Sequence, residues 1–188
     1  MSANDVEILK LLSVLLTQTK QDQLKEEFDK YTEATNFVLT EILKQHLTSE
    51  SQAIDELREE FTAKFDPRIA YLEDVVKTAR VKIGEHRAMA RSMRSLRNKT
   101  PYFEEGKMIF SEPIIKVKPS ATILFTADDE EIPVPYDKRT RNRNKDILTE
   151  IASGKRDHER VRLTWKKAGY VGVDIRVEGG SLGRPEEI

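Results

Sequence analysis

Residues 6–16 read VEILKLLSVLL. The run is short, apolar and compatible with a β-strand, although its leucines would also suit a helix. Residues 17–20 break it, and from there to residue 100 the spacing of apolar side chains is helical. A lone strand has no local partner for its backbone N–H and C=O groups, which must be paired somewhere. Either the run is a helix, or it pairs with strands much later in the chain and the segment between is an insertion. The second reading is favoured, and it sets the architecture expected of everything else.

Outward from that run, Leu24, Phe28, Tyr31, Thr35, Val38, Leu39, Ile42 and Leu43 recur every three or four positions. They predict an amphipathic helix over 20–46, roughly 40 Å long at 1.5 Å per residue, with Thr19 as its N-cap. Ser49 or Ser51 caps a second helix carrying Ile54, Leu57, Phe61 and Phe65. Asp66-Pro67 is a restart signal, a capping acid before a proline at the first helical position. The third helix buries Ile69, Leu72, Val76 and Ala79 and runs to about Leu96, with Gly84 able to bend or interrupt it.

At Thr100-Pro101 the spacing changes to short alternating runs: Lys107–Phe110, 114–118, 121–126 and Glu131–Pro135. Pro113, Pro119, Pro133 and Pro135 suit the edges and turns of a small sheet. Residues 146–152 form one short helix closed by Gly154, residues 138–145 a loop, and 160–165 and 170–178 two last strands joined by a hairpin loop at 166–169. The predicted class is α+β, a helical bundle inserted into a small β-barrel. Its divisions are 1–18 (first strand), 19–100 (bundle), 101–178 (remainder of the β domain) and 179–188 (flexible tail or linker).

Composition narrows the classes. At 188 residues, 38% hydrophobic and 35% charged, the chain is a folded protein with much solvated helical surface. It has no cysteine, hence no disulfide and no cysteine zinc site. The amino terminus lacks a secretory layout, and no apolar run approaches the roughly 20 residues that span a bilayer. The expectation is a soluble, cytoplasmic protein with no membrane partner.

The net charge of −1 conceals a segregation. Residues 26–60 are acid-rich, whereas 80–99 carry Arg80, Lys82, Arg87, Arg91, Arg94, Arg97 and Lys99 against Glu85 alone. A second basic region holds Lys138, Arg139, Arg141, Arg143 and Lys145, then Lys155, Arg156, Arg160, Arg162, Lys166 and Lys167. Because Coulomb attraction is screened beyond about 8–10 Å, one face can hold phosphates while another is acidic. Arg80, Arg87, Arg91 and Arg94 are spaced to share one side of a helix, and guanidiniums suit phosphate because they stay charged and donate paired hydrogen bonds. The alternative is a merely solvated basic face.

The cations named are therefore candidate nucleic-acid contacts, expected to gather on a shared surface. Tyr136 and Trp165 are candidate base-stacking residues, although Trp165 at a hairpin end would equally plug the barrel. Tyr31, Asn36 and Tyr71 lie on bundle helices, with core packing the stronger reading for the tyrosines. His46, His86 and His158 lack metal-ligand spacing, no serine sits in a nucleophile motif, and no glycine-rich phosphate loop is present. No catalytic residue, metal or cofactor is expected.

Four stretches carry a family resemblance: VEILKLLSVLLTQTKQDQLKEEFDKYTEATNFVL at 6–39, DPRIAYLEDVVKTARV at 66–81, GKMIFSEPIIKVKPSATILFTADDEEIPVPYD at 106–137, and KDILTEIASGKRDHERVRLTWKKAGYVGVDIRVE at 145–178. In order and pattern they resemble the amino-terminal half of the TnpB (OrfB) family of transposon-encoded RNA-guided nucleases. The resemblance implies a wedge domain, an oligonucleotide-binding-like barrel, interrupted by a helical recognition domain. In that family these parts hold guide RNA and position target DNA. Family members continue into a RuvC-like nuclease domain with three metal-binding carboxylates, and this sequence carries no such segment. The resemblance thus implies an RNA- and DNA-binding part of a prokaryotic ribonucleoprotein that does not itself cut, with a RuvC-like nuclease domain or chain as a further partner.

Asp174, in YVGVDIRVEGG, sits where the first RuvC motif would place a catalytic acid. Alternation instead gives it an outward position, opposite in sense to Val171, Val173, Ile175 and Val177, and a two-metal site needs further carboxylates from distant segments. Two other readings remain: a helical interaction or assembly protein that pairs its acidic helix with a protein partner, and the recognition subunit of a split nuclease.

Overall fold

The computed structural model describes residues 7–178; Val6 and the expected tail at 179–188, with Gly179, Gly180 and Gly183, lie outside them. Glu7–Leu12 (β1) is extended because its side chains have opposite destinations: Leu9 and Leu11 are buried, while Ile8 and Lys10 face solvent. It pairs antiparallel with Val171–Val177 (β7), Leu9 opposite Ile175 and Leu11 opposite Val173. Directly after β1 in sequence come three helices, α1 (Gln18–Gln45), α2 (Glu50–Lys64) and α3 (Ile69–Ser92).

The starts of α1 and α3 differ from those expected, and that of α2 does not. Thr17, not Thr19, caps α1, its Oγ1 accepting the Lys20 N–H at 3.3 Å. Ser49 caps α2 in the same way through Gln52. Asp66-Pro67 does not open α3, whose N-cap is Arg68 and whose first residue is Ile69. The Asp66 carboxylate is instead buried, accepting the Arg68 backbone N–H at 2.9 Å and the Lys30 ammonium at 2.7 Å. Gly84 does not interrupt α3, which is continuous to Ser92 and is followed by a 3₁₀ turn at Arg94–Leu96 rather than extending through it.

The later chain supplies β2 (Lys107–Phe110), β3 (Ile115–Val117), β4 (Ala121–Phe125), β5 (Glu131–Pro135), α4 (Lys138–Arg143), α5 (Lys145–Ala152) and β6 (His158–Trp165). The expected loop at 138–145 is largely helical. Asp137 makes it so, its carboxylate accepting the Thr140 N–H at 2.7 Å as an N-cap.

Strands form two antiparallel sheets, ordered β1-β7-β6-β2 and β3-β4-β5. A single bridge, Ser13 to Tyr136, joins them, flanked by Val14 N–H to Pro135 O at 2.9 Å and Asp137 N–H to Leu12 O at 2.8 Å. The fold is α+β, but no closed barrel forms among the described residues. The reason lies at the outer edge of β2, where helices occupy the groups that a closing strand would need. Tyr31 on α1 donates its hydroxyl to the Ile109 carbonyl at 3.1 Å, and Asp74 on α3 accepts the Ser111 N–H at 3.0 Å.

Bundle and sheets share one core. Tyr31 is fully buried and meets Phe103 and Phe110 edge-on at 5.5 and 5.0 Å. Its hydroxyl also lies 2.6 Å from Thr78 Oγ1, which takes a guanidinium N–H of Arg160 at 2.8 Å. Burial pushes the Tyr31 hydroxyl up to about 12, against the opposing effect of these bonds.

Candidate nucleic-acid interface

The buried stripe of α3 ends at Ile83. Beyond it Arg87, Met89 and Arg91 are exposed. The helix end is closed from outside its own axis: the Arg97 guanidinium donates to the carbonyls of Ala90 at 3.0 Å and Arg91 at 3.3 Å. A cation there satisfies acceptors left over by the helix and complements its negative end.

Two adjoining grooves lie along this part of α3, where it faces the carboxyl-terminal end of α1. One, of about 610 Å³, is lined by His46, Thr48, Arg80, Gly84 and Arg87 over an apolar floor of Ile42, Leu43 and Ile83. The other, of about 280 Å³, is lined by His86, Arg87, Arg97, Asn98 and Lys99 and shares Leu43 and Ile83. No carboxylate lines either groove. Arg80 reaches Glu50 at 3.9 Å with both side chains well exposed, an ion pair of little strength. Among the described residues, Arg87, Arg91, Arg94 and Lys99 form no ion pair.

The second groove depends on a residue set far back in α1. The Asn36 amide donates to the Phe103 carbonyl at 3.1 Å and accepts the Phe103 N–H at 2.7 Å. This exchange pins the chain that follows Lys99 to the bundle. Asn36 thus positions the groove wall rather than facing a ligand.

The second basic region does not join the first, and the expected shared surface is not formed. Lys166 and Lys167 sit at the β6–β7 turn beside the start of α1, where Gln21 bonds the Leu16 carbonyl and abuts Gly169. Leu43 of the first groove is 22 residues further along α1, about 33 Å at 1.5 Å per residue. Lys138, Arg139, Arg141 and Arg143 belong to α4, held at the Leu12 end of β1 by the Leu12 N–H to Thr140 Oγ1. Lys155 is exposed, and Arg156 is engaged by Glu150 at 3.0 Å and Glu7 at 3.9 Å, toward the other end of β1. The sequence groups these cations, but β1 and α1 hold them apart.

The aromatic candidates are core residues. Tyr136 is 2% exposed and its hydroxyl bonds Thr122 at 2.7 Å, which leaves no ring face for a base. Trp165 is half-buried and packs edge-on to Phe28 at 6.0 Å. Tyr71 is also fully buried, and burial holds its hydroxyl well above 10.

Sequence reasoning did not anticipate a groove of about 950 Å³ on the open face of the four-stranded sheet. Strand alternation was the available signal, since it sends Arg160, Arg162, Asp174 and Arg176 to the same face. Its charges cancel. Arg162 donates to Asp174 at 2.8 Å, Arg176 lies 3.8 Å from Glu159, and Asp157 and Glu112 complete a mixed lining. Arg160 is tied into the core by Thr78 and the Asp74 carbonyl. Asp174 stands outward on β7 as alternation requires, its carboxylate occupied by Arg162. Among the described residues no three His, Asp or Glu side chains are grouped to hold a metal ion, and no helix is long and apolar enough to cross a membrane.

No protein-family model matches the chain, and no curated protein matches it.

Proposed function

We propose that this chain is a nucleic-acid-binding module that grips phosphate along the distal part of α3. The observation that carries this reading is the pair of grooves lined by Arg80, Arg87, Arg97, Lys99, His46 and His86 without one carboxylate. In the groove on the four-stranded sheet, by contrast, Arg162 is paired with Asp174 and Arg176 with Glu159. Arginine recognises phosphate through paired hydrogen bonds, so such a site reads backbone and shape rather than base sequence. Its sharper form is the one the TnpB resemblance implies: a wedge-like β domain with an inserted recognition bundle, holding a structured guide RNA and target DNA while base pairing supplies sequence. The cutting domain would then be a separate partner.

The test is fluorescence anisotropy of a labelled RNA stem–loop at several salt concentrations. Binding through Z neutralised phosphates weakens with a log–log slope of about −0.7 to −0.9 for each of them. Tight binding at low salt that fades with a slope of several supports the reading. An absence of binding at low salt removes it.

One observation favours a second reading, docking of a protein partner: Met89 and Met93, 52% and 50% exposed, stand four residues apart at the end of α3. Methionine suits adaptable apolar interfaces. A stable complex unaffected by Arg87→Glu and abolished by Met89→Glu would select it.

A further inference from the structure

We infer that Gly84 is the point of closest approach for a nucleic-acid phosphate backbone, seated between Arg80 and Arg87; the inference rests on the binding reading above and sharpens it. Three ordinary reasons for a glycine are missing here. It does not turn the chain, because α3 runs through it unbroken. It does not adopt the left-handed conformation that glycine favours, as Gly106, Gly154 and Gly169 do. Nor does any neighbour exclude a side chain, since a Cβ built there meets nothing within 4 Å.

Glycine in the interior of an exposed helix is less favourable than alanine. Neither the local backbone nor the packing of this chain compensates for that. What distinguishes the position is its place in the 610 Å³ groove, with Arg80 four residues before it and Arg87 three after. On a helix those three positions are neighbours on one side. A bare stretch of helix between two guanidiniums lets a ligand's own backbone lie against α3, closer than any side chain would permit. The flanking arginines then reach its phosphate oxygens from both directions. His46 and Thr48 stand across the groove, from the end of α1 and the turn after it. A phosphodiester backbone fits the chemistry of this lining, being anionic along its length and rich in acceptors.

The test uses the full chain with Gly84→Ala and Gly84→Leu, a labelled RNA stem–loop and a DNA duplex of matching sequence, and thermal melting of each variant. Alanine and leucine are both better helix formers than glycine, so both variants should melt at or above the wild-type temperature. Affinity should move the opposite way, falling about threefold for alanine and about tenfold for leucine, a graded loss that follows the size of the side chain. Loss against RNA alone assigns the groove to RNA, and loss against both probes assigns it to phosphate whatever the sugar; either result supports the inference. Unchanged affinity in both glycine variants, alongside weakened binding by Arg87→Glu, overturns the role of Gly84 and leaves the binding reading standing. A wild-type chain that binds neither probe at low salt overturns both.

Discussion

Arg68 grips Asp66 with two prongs, Nε to Oδ1 at 2.9 Å and Nη2 to Oδ2 at 2.9 Å, while its remaining nitrogen donates to the Phe125 carbonyl at 2.7 Å. One side chain therefore ties the corner between α2 and α3 to the end of β4. Lys30 completes the arrangement from α1, bonding the same buried carboxylate. Burial alone would raise the Asp66 carboxyl, but the bonds from Arg68 and Lys30 outweigh it and hold the group below its ordinary value of 3.8.

The sign of the resulting pH dependence follows. A carboxyl depressed in the folded state contributes stability that is present above 3.8 and is lost as pH falls through the lower folded value. Asp74 and Glu27 act in the opposite sense, because burial raises both above their ordinary values despite nearby donors and cations. Their deprotonation opposes folding, so stability should rise modestly as the solution is acidified from neutrality toward the ordinary carboxylate range, then fall steeply below it. Thermal melts across this range check the shape. A midpoint that declines steadily from neutrality would contradict it.

Asp66→Asn should remove most of the acid-side fall and lower stability at neutral pH by about 2–4 kcal/mol. That is somewhat less than a fully buried pair, because Lys30 and Arg68 keep 23% and 22% of their side chains in water. Urea unfolding of the variant measures the loss.

Tyr31→Phe deletes the hydroxyl that reaches both Thr78 and Ile109 while keeping the ring among its aromatic neighbours. The expected cost is about 1–2 kcal/mol. Chemical denaturation should show an unchanged slope and an earlier midpoint.

Charge reversal separates the basic patches. Arg87→Glu with Arg91→Glu should weaken RNA and DNA binding alike, whatever the sequence, and reduce the salt slope by about one for each phosphate that is no longer neutralised. Lys166→Glu with Lys167→Glu, at the other end of α1, should leave affinity near the wild-type value. Equal losses from the two pairs, measured by anisotropy in the same buffer, would mean that the ligand spans the length of α1.

Asn36→Ala should free the chain at Phe103 from α1. Amide exchange over 97–103 should accelerate, and nucleic-acid affinity should fall severalfold, because Arg97 and Lys99 line the second groove. Faster exchange at undiminished affinity would assign Asn36 to stability alone.

The residues that wrote the fold into the sequence are those with a single local environment to satisfy. Leu9 and Leu11 alternate with exposed neighbours as a half-buried strand requires, and a strand with no local partner had to find β7. Leu24, Phe28, Tyr31 and Val38 mark a helix by spacing alone. Where several local solutions are close in energy, the tertiary structure chose. Asp66 is a good N-cap and became a buried ion partner instead, because Lys30 from α1 and Arg68 two residues on both bond its carboxylate. Tyr136 shortly precedes the basic run from Lys138, but the bridge to Ser13 turns it inward. Charge was legible in amount but not in place: a string of lysines and arginines has no distances, and it is the length of α1 that sets Lys166 and Arg87 apart. The grooves beside Gly84 come from two helices crossing, a relation that no single stretch of sequence contains.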